Sequence, residues 1–169
     1  MSQEIYLIAA VADNGVIGKD NDLVWHVKDD MLFFKEMTTG HILLMGRKNF
    51  ESIPAKFRPL PNRLNCILTR NKSYDAPNCE IVESIEGWIT KYSDDERKLF
   101  VIGGGQVYRE VLEKKLADVM YLTHVHAEPE GDTFFPKIND NDWQIEVIAS
   151  GEKGEKNDFS YTIKKYTRK

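Results

Sequence analysis

The stretch of residues 99–112, LFVIGGGQVYREVL, decides the fold, because an apolar segment runs into three consecutive glycines and then into a helical pattern. Residues 99–102 contain no polar side chain, which predicts a central strand buried on both faces of a parallel sheet. Apolar residues then recur at helical spacing, which predicts a helix after the glycines. These residues are Val107, Tyr108, Val111, Leu112 and Leu116.

The glycine turn itself has two interpretations. Glycines between a strand and a helix let a ligand approach the backbone, and the helix start offers unpaired N–H groups to a phosphate. A tight turn without a ligand explains the same residues. The turn is not the Rossmann fingerprint, because Tyr108 stands at its third glycine and His124 and His126 stand where its acid would fall. A nucleotide site therefore needs support from other residues.

Composition limits the class of protein. The chain has 169 residues, 41% of them hydrophobic, and a formal net charge of -4, which suits one globular domain over residues 1–169 and argues against a nucleic-acid binder. Cys66 and Cys79 form no C-x-x-C motif and predict reduced core residues. The N-terminal segment lacks the basic start of a signal peptide, and its apolar run is too short to span a bilayer. We expect a cytoplasmic monomer with no metal and no membrane partner.

The first strand and the segment after it predict a ligand cleft with a lid. Residues 5–12 predict a buried strand whose small side chains Ala9, Ala10 and Ala12 leave room for a flat ligand or for close helix packing. Residues 13–26 are rich in apolar side chains but too irregular for a regular element. Long loops of this kind are usually lids or binding loops.

A carboxylate is embedded in the apolar stripe of the next helix, residues 27–38. Asp30 points between the directions of Phe34 and Met37, whereas Asp29 points about 100° away. Both acids can simply favour a helix N-terminus. An ionisable group on the buried side nevertheless needs a partner, because burying it unpaired is costly. A ligand could supply that partner.

Basic residues follow two predicted strands. After the strand at residues 41–46, Arg47 and Lys48 open a short helix that extends to residue 53, where cations oppose the helix dipole. Arg63 precedes the strand at residues 64–69 and Arg70 follows it. Because ligands collect at strand ends in open α/β sheets, these cations suggest an anionic ligand.

The remaining segments complete an α/β fold. Ser84 is a candidate N-cap. The stretch GEKGEKND, residues 151–158, has the composition of a mobile turn between two antiparallel strands. The sequence thus predicts about eight strands in a mostly parallel sheet, an antiparallel C-terminal hairpin and about four helices. The segments not yet mentioned are a strand at 80–83, a helix at 84–92, a strand at 118–125, an acidic loop at 126–136 and strands at 143–149 and 159–167.

In their order and spacing, several segments resemble the dihydrofolate reductase family over nearly the whole chain. They are IAAVADNGVIG, MGRKNFESI, RPLPNR, VIGGGQVY and YLTHVHAEPEGDTFFP, together with Trp25, Asp30 and Phe34. The resemblance implies reduction of 7,8-dihydrofolate to 5,6,7,8-tetrahydrofolate by hydride transfer from NADPH, as part of one-carbon metabolism. Two alternatives are another NADPH-dependent pterin or pyrimidine reductase of this fold and a nucleotide-binding protein without catalysis. Neither gives a role to Asp30.

The resemblance also implies a substrate site. Asp30 would hold the pteridine and favour protonation of its N5, Thr123 would steady Asp30 by a hydrogen bond, and Arg63 would pair with the tail carboxylate. Burial among Val27, Met31 and Phe34 should raise the pKa of Asp30. The other implied substrate residues are Ile8, Ala9, Ala10, Met31, Phe34, Ile53, Leu60 and Ile102.

For the cofactor, the resemblance implies that basic residues hold the phosphates of NADPH and that Gly103 and Gly104 are joined by a cis peptide bond. Leu23 and Trp25 would belong to the lid and act with Asp30 in catalysis, and Asp132 would clasp the lid from the opposite loop. The implied cofactor residues are Ala10, Ile17, Gly18, Gly46, Arg47, Lys48, Asn49, Thr69, Arg70, Ile102, Gly103, Gly104, Gly105, Gln106, Val107 and Tyr108.

The chain departs from the family pattern at three residues near the implied site. Val24 and Lys28 stand where prolines are common, and Asn49 stands where a threonine is common beside the cofactor. We expect a less rigid entry into the helix and an altered affinity for the cofactor.

Overall fold

The computed structural model describes residues 3–19 and 25–169. Ten strands and four α-helices lie in this part of the chain. They are β1 (Ile5–Ala12), β2 (Val16–Gly18), α1 (Lys28–Thr38), β3 (Ile42–Gly46), α2 (Arg47–Ser52), β4 (Leu64–Leu68), β5 (Glu80–Val82), α3 (Ile85–Lys91), β6 (Leu99–Val101), α4 (Gly105–Glu113), β7 (Val119–Val125), β8 (Thr133–Phe134), β9 (Trp143–Gly151) and β10 (Tyr161–Arg168). Short 3-10 turns occur at Ala55–Phe57 and Asp140–Asp142.

Eight of the strands form one sheet in the order β5-β4-β3-β6-β1-β7-β10-β9. The strands from β5 to β7 are parallel, and β10 and β9 are antiparallel to their neighbours. The predicted fold class is therefore confirmed. Continuous apolar runs place β3 and β6 in the interior of the sheet because both of their faces are covered.

Helices cover both faces of the sheet. Alternate residues of β1 point to opposite sides, so that Leu7 and Ile8 belong to different core clusters. The cluster around Ile8 takes its helical residues from α1 and α2: Phe33, Phe34, Met37 and Phe50. The cluster around Leu7 takes them from α3 and α4: Ile85, Trp88, Val107, Tyr108 and Val111. Asp30 therefore stands on the face that carries α1.

The prediction that residues 13–26 are irregular is wrong at β2. This strand pairs with β8, which lies in the segment predicted as an acidic loop. The N–H of Asp132 donates to the carbonyl of Gly18 at 3.1 Å. The N–H of Phe135 donates to the carbonyl of Gly15 at 2.8 Å. Gly131 leaves room for Val16, because a β-carbon there would collide with the valine side chain. These segments are too short for a period-two pattern of apolar residues. They are strands only because they pair with each other in the folded protein.

The turn at residues 151–158 contacts the start of α1, a contact that the sequence analysis did not predict. An isolated β-bridge joins Val27 to Asn157. The N–H of Lys28 donates to the carbonyl of Lys156 at 3.0 Å. The N–H of Asp158 donates to the carbonyl of His26 at 2.8 Å.

Two classes of feature are absent from the described residues. None of the helices there combines the length and the apolar composition that crossing a membrane requires. Residues 3–19 and 25–169 also contain no group of three or more His, Cys, Asp or Glu side chains placed to hold a metal ion.

A buried asparagine shapes the segment between α2 and β4. Asn65 is 1% exposed. Its Oδ1 accepts from the N–H of Leu60 at 2.9 Å, and its Nδ2 donates to the carbonyls of Leu60 and Arg63, both at 3.0 Å. One side chain thus replaces the backbone partners that this turn lacks.

We expect Asn65→Ala to lower the free energy of unfolding by about 2 kcal/mol, because partly buried backbone groups at Leu60 and Arg63 lose their hydrogen-bond partners. Urea denaturation measures the change, and Asn141→Ala, at an exposed asparagine, is the control. Equal stability of the two variants would contradict this role of Asn65.

Candidate active-site cleft

The strands β1 and β6 part before β1 ends, and we call the place where they part the crevice. Their pairing ends at Leu7 and Val101, whereas β1 stays paired with β7 as far as Ala12. The chain beyond Val101 follows β3 instead: the N–H of Ile102 donates to the carbonyl of Leu44 and that of Gly46 to the carbonyl of Gly103, both at 2.9 Å. The crevice therefore lies at the carboxyl ends of parallel strands, where open α/β sheets bind ligands.

Asp30 stands at one side of this crevice. The hydroxyl of Thr123 donates to its Oδ1 at 2.6 Å, and Thr123 is paired across the sheet with Ala10 of β1. Burial raises the pKa of Asp30, and the hydrogen bond from Thr123 opposes that rise. Both the rise and the hydrogen bond agree with the sequence analysis. A poorly solvated carboxylate in this position can accept hydrogen bonds from the N–H groups of a ligand.

The neighbouring Asp29 has the opposite environment. Its carboxylate accepts from the hydroxyl of Tyr161 at 2.9 Å and from Nδ2 of Asn157 at 3.0 Å, and it forms an ion pair with Lys156 at 3.0 Å. The bonds from Asn157, Lys156 and Tyr161 lower the pKa of Asp29 to about 2. The two adjacent acids thus differ because the carboxylate of Asp29 is stabilised by three donors, whereas that of Asp30 is desolvated and has one donor.

The predicted substrate residues are mostly brought together on the α1 face of the sheet. Five of them belong to one apolar cluster: Ile8, Phe34, Ile53, Leu60 and Ile102. Three apolar residues are exceptions. Ala9 packs against the cluster on the opposite face of the sheet, and Ala10 packs against a third cluster. Met31 is 49% exposed and so is not part of the apolar surroundings expected for Asp30. Trp25 is buried in a separate cluster with Val27, against which Ala10 packs. Leu23 and Val24 lie outside the described residues.

Arg63 lies at the start of β4, which is the opposite end of that strand from Arg70. It is therefore not one of a group of cations at a single edge of the sheet. Its guanidinium donates to Oγ1 of Thr38 at 3.0 Å and to the carbonyl of Pro61 at 2.9 Å, and it lies 6.0 Å from the centre of the Phe34 ring. Burial lowers its pKa. Arg63 is thus fixed beside the apolar cluster.

The glycine turn closes the other side of the crevice. The cis peptide bond expected between Gly103 and Gly104 is present, and Gly103 has a φ of 125°, a value that favours glycine. A β-carbon on Gly104 would meet only the β-carbon of Asn49, at 4.0 Å, whereas one on Gly105 would lie 2.8 Å from Cγ2 of Thr133. The backbone at Gly104 is therefore open to a ligand, while Gly105 is glycine because β8 packs against it.

Two residues assigned to the cofactor lie beneath the turn. Val107 and Tyr108 are both buried. The hydroxyl of Tyr108 donates to the carbonyl of Ile8 at 2.8 Å, which is a backbone group that β6 no longer pairs with. Tyr108 therefore supports the floor of the crevice from the α4 side, and Gln106 is the exposed residue of this turn.

Cations gather at the ends of β3 and β4. Because Gly46 is paired with Leu68, Arg47 and Lys48 lie at the same edge as Thr69 and Arg70. The three basic side chains are exposed. Arg47 also pairs with Glu51 at 2.9 Å, so the cation at the helix start has a protein partner. Basic residues at the start of α2 suggested an anionic ligand. For Arg47, Glu51 of the same helix supplies part of the negative charge.

Two contacts beside the candidate site are not predicted by the sequence. Thr38 is a fully buried polar residue of α1 that positions Arg63, and Asn157 is a buried residue that binds Asp29. Each pair is far apart in the sequence, so residue spacing carries no sign of either contact. A polar residue in the last turn of an amphipathic helix was the only available signal for Thr38.

Comparisons with known proteins agree with one another. A family model described as dihydrofolate reductase matches residues 4–168. The dihydrofolate reductase of Staphylococcus haemolyticus is 42% identical over 165 residues, covering 98% of this chain and 96% of that protein. That of Bacillus subtilis is 41% identical over 165 residues, covering 98% and 95%. A solved structure of dihydrofolate reductase from Enterococcus faecalis, complexed with NADP(H) and RAB-propyl, superposes with a TM-score of 0.87 at 36% identity and 99% coverage of both chains.

The two adjacent acids should change stability in opposite directions. A raised folded-state pKa gives Asp30 a stabilising contribution at low pH that is lost as pH rises through that pKa, so Asp30→Asn should raise the melting temperature at pH 7 by about 3 °C. A pKa lowered to about 2 gives Asp29 a contribution that is present above about pH 4 and lost as pH falls towards 2. Asp29→Asn should therefore lower the melting temperature at pH 7.

Thermal unfolding at a series of pH values tests both changes. The advantage of Asp30→Asn should vanish below about pH 4, where the unfolded carboxyl is protonated. Melting temperatures that move in the same direction for the two variants at pH 7 would refute the assignment of opposite environments.

Proposed function

The chain belongs to the dihydrofolate reductase family and reduces 7,8-dihydrofolate to 5,6,7,8-tetrahydrofolate with NADPH, and we propose that this reaction takes place in the crevice between β1 and β6 with Asp30 as its substrate-binding acid. The observation that carries the proposal is the partly buried carboxylate of Asp30, which is hydrogen-bonded to Thr123 beside the crevice and whose pKa is raised by desolvation.

Asp30 suits the recognition of a pteridine. A pteridine of this type presents a 2-amino group and an N3–H side by side, and a carboxylate can accept both as a parallel pair of hydrogen bonds. A negative charge next to the ring raises the affinity of its N5 for a proton. That proton makes the neighbouring carbon a better hydride acceptor, so one well-placed carboxylate is sufficient on the protein side.

Arg63 is the proposed partner of the substrate's glutamate tail. Two of its five guanidinium N–H donors are used by Thr38 and Pro61 in the described structure. The remaining donors are free to pair with a carboxylate. The apolar cluster of Ile8, Phe34, Ile53, Leu60 and Ile102 would hold the aromatic part of the substrate between Asp30 and Arg63.

The residues on the other side of the crevice fit a dinucleotide. The open backbone at Gly104 suits close approach of a pyrophosphate. Lys48, Thr69 and Arg70 lie at one edge of the sheet, where they would bind the 2′-phosphate. NADPH, when bound, supplies the hydride. The protein's task is to hold the two rings together in a site that excludes water.

Ile17, Gly18 and Trp25, which the family resemblance assigns to a lid, are proposed to border this site. Gly18 is held by the pairing of β2 with β8 and by the N–H of Asp132, which donates to its carbonyl at 3.1 Å. Trp25 is buried beside Val27. Leu23, the other residue assigned to the lid, lies outside the described residues.

The folate assignment is favoured over the two alternatives by residues that they leave without a role. A related pterin or pyrimidine reductase needs the phosphate-binding edge but not Arg63 with its Thr38 support, and a nucleotide-binding protein needs no buried acid at position 30. We also propose that the protein acts as a monomer in the cytoplasm. Its free thiols at Cys66 and Cys79 suit a reducing compartment.

We expect Asp30→Asn to lower the rate of hydride transfer to dihydrofolate by at least about a hundredfold at neutral pH, because the amide carries no charge and accepts only one of the paired hydrogen bonds. Binding of NADPH should stay nearly unchanged. Loss of NADPH absorbance in single-turnover mixing measures the rate, with Glu36→Gln, at an exposed acid of α1, as the control. Normal turnover by Asp30→Asn would remove Asp30 from the mechanism.

We expect Arg70→Ala to weaken binding of NADPH by about tenfold or more and to leave binding of NADH within about threefold, because only NADPH carries the 2′-phosphate. Fluorescence titration with each cofactor measures the two affinities. The matched control is Lys72→Ala, since Lys72 pairs with Glu83 at 3.3 Å. Equal losses for NADPH and NADH would contradict a contact between Arg70 and the 2′-phosphate.

A further inference from the structure

The first turn of α1 is tied to the C-terminal hairpin by a network that the proposed reaction does not use. We propose that Asp29 is a positioning residue: by binding Tyr161, Asn157 and Lys156, it fixes the turn that carries Asp30. This inference rests on the proposed role of Asp30 as the substrate-binding acid.

The network is built around a buried amide. Asn157 is 3% exposed. Its Oδ1 accepts from the N–H of Asp29 at 3.1 Å, and its Nδ2 donates to the carboxylate of Asp29 at 3.0 Å. Both the backbone and the side chain of Asp29 are therefore held by one residue of the turn at 151–158. A carboxylate that is 24% exposed and receives three donors is a fixed point rather than a solvated surface charge.

The anchors of Asp29 and Asp30 stand on neighbouring strands. Asp30 binds Thr123 of β7 and Asp29 binds Tyr161 of β10. In the register of these strands Thr123 is paired with Ile163, and Tyr161 is paired with Val125. Thr123 and Tyr161 therefore lie two residues apart on the same face of the sheet. The two adjacent acids, which point about 100° apart on the helix, hold the first turn of α1 across both strands.

The helix start has no side-chain cap of its own. Val27 is the N-cap residue, and it makes no side-chain hydrogen bond to the first turn. In most helices a serine, threonine, aspartate or asparagine at this position satisfies free N–H groups. Here the hairpin turn supplies the partners instead, since Asn157 accepts from Asp29 and the carbonyl of Lys156 accepts from Lys28. The orientation of Asp30 thus depends on residues about 130 positions away in the chain.

Three variants and a control distinguish an effect of Asp29 on the position of Asp30 from an effect of its charge and from a general loss of stability. Asp29→Ala removes the anchor, Asp29→Asn keeps an oxygen that accepts from Tyr161 and Asn157, and Tyr161→Phe removes one hydrogen bond while leaving the charge of Asp29 in place. Glu36→Ala changes an exposed acid on the same helix and is the control. The readouts are the single-turnover rate of hydride transfer, the affinity for NADPH, and the pKa of Asp30 measured by carbon-13 NMR of aspartate-labelled protein without ligands.

We expect Asp29→Ala to slow hydride transfer by about tenfold and to lower the pKa of Asp30, because a loosened turn admits water to its carboxylate. Tyr161→Phe should slow hydride transfer by about twofold to threefold and lower the pKa of Asp30 by less than Asp29→Ala does. Asp29→Asn should stay within about threefold of the parent rate. The affinity for NADPH should stay within about twofold throughout. Loss of the Asp29 charge by itself would lower the pKa of Asp30 equally in Asp29→Ala and Asp29→Asn. Positioning is therefore read from a further fall of this pKa in Asp29→Ala and from a fall in Tyr161→Phe, where the charge remains.

Two results would overturn the inference. One is an Asp29→Ala variant whose rate and Asp30 pKa equal those of Asp29→Asn or, if Asp29→Ala does not fold, a Tyr161→Phe variant with the parent rate and an unmoved Asp30 pKa. The other is an Asp29→Asn rate as low as that of Asp29→Ala, which would assign the effect to charge. Failure of the proposed function is separate: it would show as full turnover by Asp30→Asn, whereas the Asp30 titration reports positioning without any turnover.

Discussion

The incomplete pairing of β1 is the constraint on which the site depends. A strand in the middle of a parallel sheet normally has hydrogen-bonded neighbours on both sides along its length, but β1 loses β6 after Leu7 and keeps β7 to its end. The parting is stabilised because the freed carbonyl of Ile8 receives the hydroxyl of Tyr108, and because the chain after β6 pairs with β3 instead. Buried backbone groups therefore remain hydrogen-bonded although β1 and β6 part at the crevice.

The two sides of the crevice differ in chemistry, so each side suits a different kind of ligand. On the α1 side stand apolar side chains and one partly buried acid, Asp30. On the side of the glycine turn stand open backbone and, further along the sheet edge, basic side chains. An aromatic substrate with a polar edge suits the first side, and a ligand with several phosphates suits the second. The same division explains why an acidic protein concentrates cations at this edge.

Asp29 and Asp30 show how neighbouring residues of one type take different roles. Their chemistry is identical, and their positions on the helix differ by a single residue. The three donors around Asp29 favour its anion, whereas the apolar surroundings of Asp30 penalise its anion. Asp30 is thus held in a state that costs stability, a common property of residues that interact with ligands. The favourable contacts of Asp29 stabilise the same turn.

The sequence by itself determined the strand and helix pattern, the mostly parallel sheet and the placement of Asp30 on the buried side of α1, because these follow from apolar spacing within short windows. Its family resemblance also led to the cis bond at Gly103 and Gly104 and to the bond between Thr123 and Asp30. Only the tertiary structure decided the pairing of β2 with β8, the burial of Tyr108, the support of Arg63 by Thr38 and the anchoring of Asp29 by Asn157 and Tyr161. These contacts join residues that are remote in the chain, and their partners are chosen by the packing of whole elements, which local spacing does not encode.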